Sequence, residues 1–352
     1  ILYGKEGAEW KVRKEATFTR DKPAASSEEA TGLACTGTAS AALSAEWKDG
    51  HVTVRSTNLP VKKQEFEIDL PAPVGLVWHA LTTVEGIRQF FPAPNAQIEL
   101  KPGGVYEIFG GTGNRVLSFV PHELLATRGS APERFPTVRK VGTWSSYFFT
   151  PIDDKTTRVR LTCVGWQAGA EWEAAFDYFL KGNAAWLNLL HRHFTEKPPA
   201  NRAAAQPLKR IELEVTVAAA RDEVWSAWST AEGWKAFFGV EAKIEPRPGG
   251  PFELFFSSDA PAGSRGSEDC KVLCTIPNEL FAFDWSAPPQ FANVRKERTQ
   301  VVVRFEALGE KSTRVRLSQI GWGESEEWNQ VYAYFQRAWP LVLGQLRKHF
   351  TK

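Results

Sequence analysis

The chain has 352 residues, of which 43% are hydrophobic, and its formal net charge is +2. This near-neutral balance argues against a nucleic-acid-binding protein and against a polybasic protein of the membrane surface. No run of about eighteen apolar residues is present, so the sequence predicts no membrane span. The apolar content is sufficient for two domain cores of ordinary size.

The four cysteines, Cys35, Cys163, Cys270 and Cys274, have no spacing typical of a metal site or a disulfide framework. Free thiols favour a reducing compartment, so we expect a cytoplasmic protein. The chain begins at Ile1 and contains no methionine, which indicates a processed or trimmed N-terminus. A periplasmic or secreted location therefore stays open, through a signal peptide removed before Ile1.

Residues 1–61 are predicted to form a β-rich extension. Asp49 and Gly50 form a typical hairpin turn between the strand-like runs AALSAEWK and HVTVRS. Another strand-like run covers residues 9–18. No part of this extension matches the repeat that follows it.

The rest of the chain contains one sequence twice. The eleven residues SAPERFPTVRK at 130–140 recur as SAPPQFANVRK at 286–296, and we call them the repeated segment. A shift of 156 positions aligns residues 130–194 with 286–350 without a gap, and 25 of these 65 positions are identical. Such a long period is typical of a duplicated globular domain and too long for a solenoid.

Domain limits follow from the ends of the two copies. The stretch TEKPPANRAAAQPLK is rich in proline and alanine without apolar periodicity, as interdomain linkers are. We therefore predict a first domain at residues 62–195, a linker at 196–208 and a second domain at 209–352.

Each copy has the predicted element order β-α-α-β-α, in which the second β stands for five or six strands. In the second copy, apolar residues alternate from Ile211 to Val217, which predicts a strand, and a helix follows around Trp225. Short runs rich in Val, Phe and Thr then indicate antiparallel strands. A long amphipathic helix at about 324–350 closes the copy, with acidic residues at its start and basic residues at its end. The predicted class is α+β, because a curved sheet around that helix buries the apolar face of both.

Several motifs of the second copy resemble a known family. They are GGPFEL at 249–254, WSAPP at 285–289, and GWGESEEW at 321–328 followed by Tyr and Phe. The chain resembles bacterial homologues of the activator of the heat-shock protein 90 ATPase, which belong to the START-like (SRPBCC, helix-grip) superfamily. The resemblance covers about 285 residues as two copies, the second being the closer. It implies a cavity between sheet and long helix that holds an apolar ligand and, as in the eukaryotic activators, contact with a chaperone.

An aromatic stripe marks the candidate site. Trp328, Tyr332, Phe335 and Trp339 are spaced by four, three and four residues, which places them on one face of the long helix. Such a stripe is most often core, and ligand contact is the alternative. The candidate ligand-binding residues are Phe252, Leu254, Trp285, Trp328, Tyr332, Phe335 and Trp339 in the second copy, and Trp172, Phe176, Phe179 and Trp186 in the first.

The two copies differ at two of these positions. The first copy has Gly129 where the second has Trp285, and Asn183 where the second has Trp339, with Trp186 one turn later. A core position rarely accepts such a change unless its neighbours repack, because the missing ring leaves a cavity. We therefore expect interiors of different shape and the better ligand site in the second copy.

Catalytic patterns are weak in this sequence. No Ser-His-acid or Cys-His order recurs in both copies, and no glycine-rich phosphate loop follows a strand. Only His193 and His349 are equivalent between the copies, and both are expected at the solvated end of the long helix. Of the repeated acids, Glu327 is explained by the dipole at the helix start. We predict no catalytic residue, no metal and no cofactor.

Arg139-Lys140 and Arg295-Lys296 close the repeated segment in each copy. One interpretation is a charged loop rim, and the other is a frame at the cavity mouth that steers an acidic ligand or protein. Three functions stay open at this point. They are a non-catalytic binding protein for a small hydrophobic ligand, a chaperone-associated adaptor, and a START-like enzyme.

Overall fold

A computed structural model describes residues 62–196, 208–257 and 259–351 in full, and the backbone strands within residues 1–61. The chain divides into two compact units, residues 1–205 and 206–352. The finer domain limits given above remain a prediction.

The N-terminal segment contributes strands to the first unit. These strands are β1 (Leu2–Glu6), β2 (Glu9–Lys14), β3 (Thr19–Arg20), β4 (Ala42–Lys48) and β5 (His51–Thr57). Strands β4 and β5 pair antiparallel, as the predicted hairpin requires. The turn residues Asp49 and Gly50, and also Cys35, lie outside the described residues.

The first copy of the repeat contains seven further strands and four helices. In chain order they are β6 (Gln64–Leu70), α1 (Val74–Thr82), α2 (Val84–Phe90), β7 (Gln97–Ile98), β8 (Tyr106–Glu107), β9 (Arg115–Val120), β10 (Leu124–Gly129), α3 (Pro136–Val141), β11 (Thr143–Pro151), β12 (Thr157–Val164) and α4 (Ala170–Glu196). Strands β6, β12, β11, β10 and β9 form an antiparallel sheet in that order, and β4 pairs parallel with β6 at its edge.

The second copy contains seven strands and three helices. They are β13 (Ile211–Val217), α5 (Arg221–Ser229), α6 (Ala231–Phe238), β14 (Glu241–Ile244), β15 (Phe252–Phe255), β16 (Val272–Ile276), β17 (Leu280–Ser286), β18 (Arg298–Gly309), β19 (Ser312–Ile320) and α7 (Glu326–His349). Strands β13, β19, β18, β17 and β16 form the antiparallel sheet, and β14 pairs with β15. This is the predicted α+β order, with a long helix at the end of each copy.

Helix α7 shows why the long helix forms where it does. The Ser325 side chain accepts a hydrogen bond from the Trp328 amide at 3.3 Å, which caps the N-terminus. Its apolar residues recur on one face and pack into one core with the inner face of the sheet. Arg347 and Lys348 lie in its last turn, where the helix dipole favours positive charge. Among the residues that the structure describes, no helix is long and apolar enough to cross a membrane.

Helix α3 is an element that the sequence analysis did not predict. It covers part of the repeated segment of the first copy and begins with Pro136 at its first position, where proline fits because that amide needs no helical partner. The corresponding residues of the second copy form turns instead. The repeated segment thus forms a helix in the first copy and turns in the second, although the two sequences are similar.

A glycine of the repeat is explained by close approach of the backbone. A Cβ on Gly86 would lie 2.2 Å from the carbonyl oxygen of His79, and one on Gly233 would lie 2.5 Å from that of Ala227. Any side chain would clash with the preceding helix at both positions. Glycine therefore recurs at this position, because the start of the second short helix lies too close to the first for a Cβ to fit.

Candidate ligand cavities between sheet and long helix

The second unit contains a cavity of about 450 Å³ between the sheet and helix α7. Helix α6, strand β15, the end of β17 and the loop before β16 complete its wall. Four of the predicted residues line it, namely Leu254, Trp285, Phe335 and Trp339. The indole rings of Trp285 and Trp339 have centroids 5.6 Å apart, and Phe335 stacks on Trp339 at 6.0 Å. The wall next to helix α7 is therefore largely aromatic.

Trp339 is held by a buried hydrogen-bond chain. Its Nε1 donates to Gln319 Oε1 at 2.6 Å, and Gln319 Nε2 donates to Thr299 Oγ1 at 2.8 Å. The Thr299 hydroxyl donates in turn to the carbonyl oxygen of Trp285 at 3.1 Å. Buried polar groups need such partners, so the chain fixes the orientation of the Trp339 ring at the cavity wall.

Three predicted residues of the second copy do not line this cavity. Phe252 is fully buried in an aromatic cluster, with its ring centroid 4.0 Å from that of Phe283. Trp328 Nε1 donates to Glu297 at 3.2 Å, and Tyr332 donates to the carbonyl oxygen of Arg210 at 2.9 Å. The first two turns of helix α7 are therefore occupied by contacts to neighbouring loops, and only the part of the stripe from Phe335 onward reaches the cavity.

The first unit contains a cavity of about 440 Å³ in the equivalent place. Of its predicted residues, Phe179 and Trp186 line the cavity, while Trp172 and Phe176 do not. Trp172 packs with the repeated segment in a separate small core, and Phe176 packs edge-on against Trp166 at 5.0 Å. In both units, therefore, the N-terminal turns of the long helix pack on loops and the later turns face the cavity.

The wall of the first cavity is more polar where the second has Trp339. Asn183 Nδ2 donates to Gln64 Oε1 at 3.0 Å and lies 3.4 Å from Cys163 Sγ. Gln64 Nε2 donates to the carbonyl oxygen of Phe176 at 2.7 Å. Burial raises the pKa of the Cys163 thiol to about 12, so that it is neutral at physiological pH. The neighbours have repacked around Asn183 with hydrogen bonds, and the two cavities differ in chemistry more than in volume.

A glycine-rich loop closes one side of the first cavity. Glu107 accepts hydrogen bonds from the Thr112 amide at 3.0 Å, the Thr112 hydroxyl at 2.6 Å and the Asn114 amide at 2.9 Å. Desolvation raises the pKa of Glu107, but these hydrogen bonds outweigh it and lower the pKa overall. The carboxylate is thus part of the loop structure, and Phe109 on the same loop is 62% exposed at the cavity mouth.

The repeated acid next to the repeated tryptophan has a structural role in both copies. Glu171 accepts a hydrogen bond from the Val138 amide at 2.9 Å, and Glu327 accepts one from the Asn293 amide at 3.2 Å. Both bonds tie the repeated segment to the start of the long helix. The dipole explanation given for Glu327 in the sequence analysis therefore covers only part of its role.

The repeated arginine is also structural. Arg139 Nη1 donates to the carbonyl oxygen of Ala131 at 3.1 Å, and Arg295 Nη1 donates to the equivalent carbonyl of Ala287. Only Arg295 lies on a cavity wall. His193, expected at a solvated helix end, is instead buried against Phe194, with ring centroids 4.8 Å apart.

Sequence reasoning missed several residues of the cavity walls. They are Tyr106, Phe109, Tyr147, Cys163 and Asn183 in the first unit, and Trp234, Phe238, Phe256, Arg265, Ala338 and Leu341 in the second. Equivalence between the copies is the one signal that marks some of them, because Gly182 and Ala338 align and both line a cavity. Within the described ranges, no three His, Cys, Asp or Glu side chains are grouped to hold a metal ion.

A curved antiparallel sheet over one long C-terminal helix, with a cavity between them, defines a START-like (SRPBCC, helix-grip) unit, and this chain has two in tandem. The family model described as "Activator of Hsp90 ATPase homolog 1-like protein" matches residues 71–194 and 218–351. These two segments cover well over half of the chain, which therefore belongs to that family. No curated protein matches the chain.

Some solved structures that resemble the chain match about two fifths of it, and others match most of it. Protein MLL2253 from Mesorhizobium loti is 19% identical over 40% of this chain and 96% of its own, with a TM-score of 0.34. The Aha1 dimer from Colwellia psychrerythraea is 19% identical over 41% and 96%, with a TM-score of 0.32. The di-domain ARO/CYC BexL from the BE-7585A biosynthetic pathway is 15% identical over 83% and 99%, with a TM-score of 0.32. The family assignment rests on the family-model match and not on these structures.

Proposed function

We propose that the protein is a non-catalytic binding protein that holds a small hydrophobic ligand in the cavity of each unit. The observation that carries this proposal is the second cavity, with about 450 Å³ of space beside the rings of Trp285, Phe335 and Trp339. Ligand pockets of proteins have about 300–1,000 Å³ and mainly apolar walls with a few polar groups. Both cavities have this size and composition.

The titratable groups of the walls support binding over catalysis. In the described wall of the first cavity these groups are tyrosines and Cys163. Burial raises the pKa of Tyr106, Tyr147 and Cys163, so none of them is a base near neutral pH. In the second cavity they are Tyr334, Arg265 and Arg295, and a guanidinium group has hydrogen-bond donors but no acceptor for a proton. These walls suit a function that holds a ligand without transferring protons.

The family description favours a second candidate, an adaptor that stimulates the ATPase of a heat-shock protein 90 chaperone. This function would depend on an exposed partner surface and not on the cavities. A chaperone ATPase assay with the full chain separates the two candidates, because variants with filled cavities would keep full stimulation if the chain were an adaptor only.

Extraction of the native protein followed by mass spectrometry tests the proposed function. We expect a small apolar molecule in a constant ratio to the protein. Two variants serve as matched controls, Gly182→Trp and Ala338→Trp, since these equivalent helix positions line the first and the second cavity. A Cβ at Gly182 meets no atom within 4 Å, so an indole there can extend into the space.

Each filled variant should lose the molecule bound in its own cavity. If the double variant yields the same molecules in the same amounts as the wild type, they bind elsewhere on the protein. In that case the proposal fails.

A further inference from the structure

The two cavities differ in charge. The wall of the second contains Arg265 and Arg295, whereas the described wall of the first contains no Asp, Glu, His, Lys or Arg side chain. Both arginines lie at the same side, where the loop before β16 meets the repeated segment. This loop is longer in the second copy than in the first. The longer loop supplies Arg265, whereas Arg295 has an equivalent in the first copy, Arg139, that does not line the first cavity.

Neutral partners take up the donors of Arg295. Its Nε donates to the carbonyl oxygen of Gly263 at 3.0 Å, and its Nη2 donates to those of Gly263 at 2.9 Å and Gly266 at 2.7 Å. Carbonyl groups satisfy hydrogen bonds but leave the unit charge in place. Burial, and then repulsion from Arg298, lowers the pKa of Arg295, as expected for a cation whose charge is incompletely balanced.

Arg265 is exposed at the cavity mouth, and its Nε donates to the carbonyl oxygen of Ala260 at 3.1 Å. The loop contains three acids, Asp259, Glu268 and Asp269, and none of them belongs to the described cavity wall. The Glu268 carboxylate accepts hydrogen bonds from the amides of Gly263 at 2.9 Å and Arg265 at 2.8 Å. The described wall therefore contains two guanidinium groups and no carboxylate.

We propose that the second cavity binds an amphipathic anion, with its carboxylate at Arg265 and Arg295 and its apolar body along Trp285 and Trp339, and that the first cavity binds an uncharged ligand. The proposal rests on the proposed function and adds the charge class of the ligand. The Nη groups of Arg265 can donate to the carboxylate, because the bond to Ala260 uses only its Nε. Arg295, whose donors are largely taken up by carbonyl groups, contributes its charge, which attracts an anion to the cavity. The aromatic wall supplies the apolar contact.

Two probes of equal chain length test the charge class, decanoate and 1-decanol. Their binding to the full chain is measured by isothermal titration calorimetry in Gly182→Trp, which leaves the second cavity open, and in Ala338→Trp, which leaves the first open. Comparing the cavities cancels the intrinsic difference between the two probes. The ratio of decanoate to decanol affinity should be about fivefold higher in the second cavity, the size of one partly exposed charge contact. Added salt should reduce this ratio, because it screens exposed charges.

Variants made in the Gly182→Trp chain identify the arginine that binds the carboxylate. Arg265→Gln should weaken decanoate binding about fivefold and leave decanol binding unchanged. Arg247→Gln removes the same charge from an exposed site of the same unit that does not belong to the cavity wall, and it should change neither affinity. Arg295 is unsuitable for this test, because its loss would leave the carbonyl groups of Gly263 and Gly266 without their partner. Thermal unfolding of each variant confirms that it is folded.

Equal decanoate-to-decanol ratios in the two cavities would overturn the proposal. So would an unchanged ratio in Arg265→Gln, or an equal loss in Arg247→Gln. Failure of the proposed function has a different signature, because then neither probe binds to either cavity.

Discussion

Phe252→Ala is expected to reduce the free energy of unfolding of the second unit by about 3–5 kcal/mol, the usual cost of removing a buried aromatic ring. Phe252 is fully buried, and its ring centroid lies 4.0 Å from that of Phe283 and 5.4 Å from that of Phe281. The space left between these rigid rings cannot collapse easily. Urea unfolding of the full chain measures the loss, and ligand affinity per folded molecule should change little because Phe252 does not line the cavity.

Phe256 offers a matched control on the same stretch of chain. It is 48% exposed and lines the mouth of the cavity, so Phe256→Ala should cost less than about 1 kcal/mol of stability. Binding of an apolar probe should weaken instead. Equal stability losses in the two variants would show that Phe252 is not core or that Phe256 is not part of the cavity wall.

Trp339→Phe is expected to lower the free energy of unfolding by about 1–3 kcal/mol, because it leaves the buried Gln319 Oε1 without its donor. Trp339 also lines the cavity, although only 2% of its surface is exposed, so probe affinity should fall as well. Trp339 thus belongs both to the core and to the cavity wall. Urea unfolding and probe titration on the one variant measure both effects.

A double-mutant cycle with Gln319→Leu isolates the hydrogen bond. In the Gln319→Leu background there is no amide oxygen left to lose its partner, so Trp339→Phe should cost less than in the wild type. The same cost in both backgrounds would mean that the stability loss comes from ring size alone.

The duplication and the order of elements could be read from the sequence, because the repeat carries its own periodicity and turn residues. The aromatic stripe shows which part of the candidate site the sequence can and cannot predict. Spacing places Trp328, Tyr332, Phe335 and Trp339 on one face of the helix. The spacing does not indicate at which residues of the helix a gap opens between that face and the sheet. Loops that approach from a distance in sequence cover the first two residues, and only the structure shows this.

The polar residues of the cavity walls could not be predicted from the sequence for a related reason. Asn183 is an unusual replacement for a core tryptophan, and the structure explains it by the hydrogen bonds to Gln64 and Cys163, which belong to two other elements of the chain. Arg265 belongs to a loop whose course no local pattern predicts. Side-chain partners between distant elements depend on packing. The sequence therefore indicated the aromatic wall and, as one of two interpretations, Arg295 at the cavity mouth, but it did not indicate Arg265.

Titration of the full chain with the uncharged dye N-phenyl-1-naphthylamine tests the central claim, one apolar site in each unit, most directly. We predict two equivalents of dye bound by the wild type and one each by Gly182→Trp and Ala338→Trp. The double variant should bind none, since both cavities are then filled. If it binds the dye with the stoichiometry and affinity of the wild type while remaining folded, the cavities between sheet and long helix are not the ligand sites.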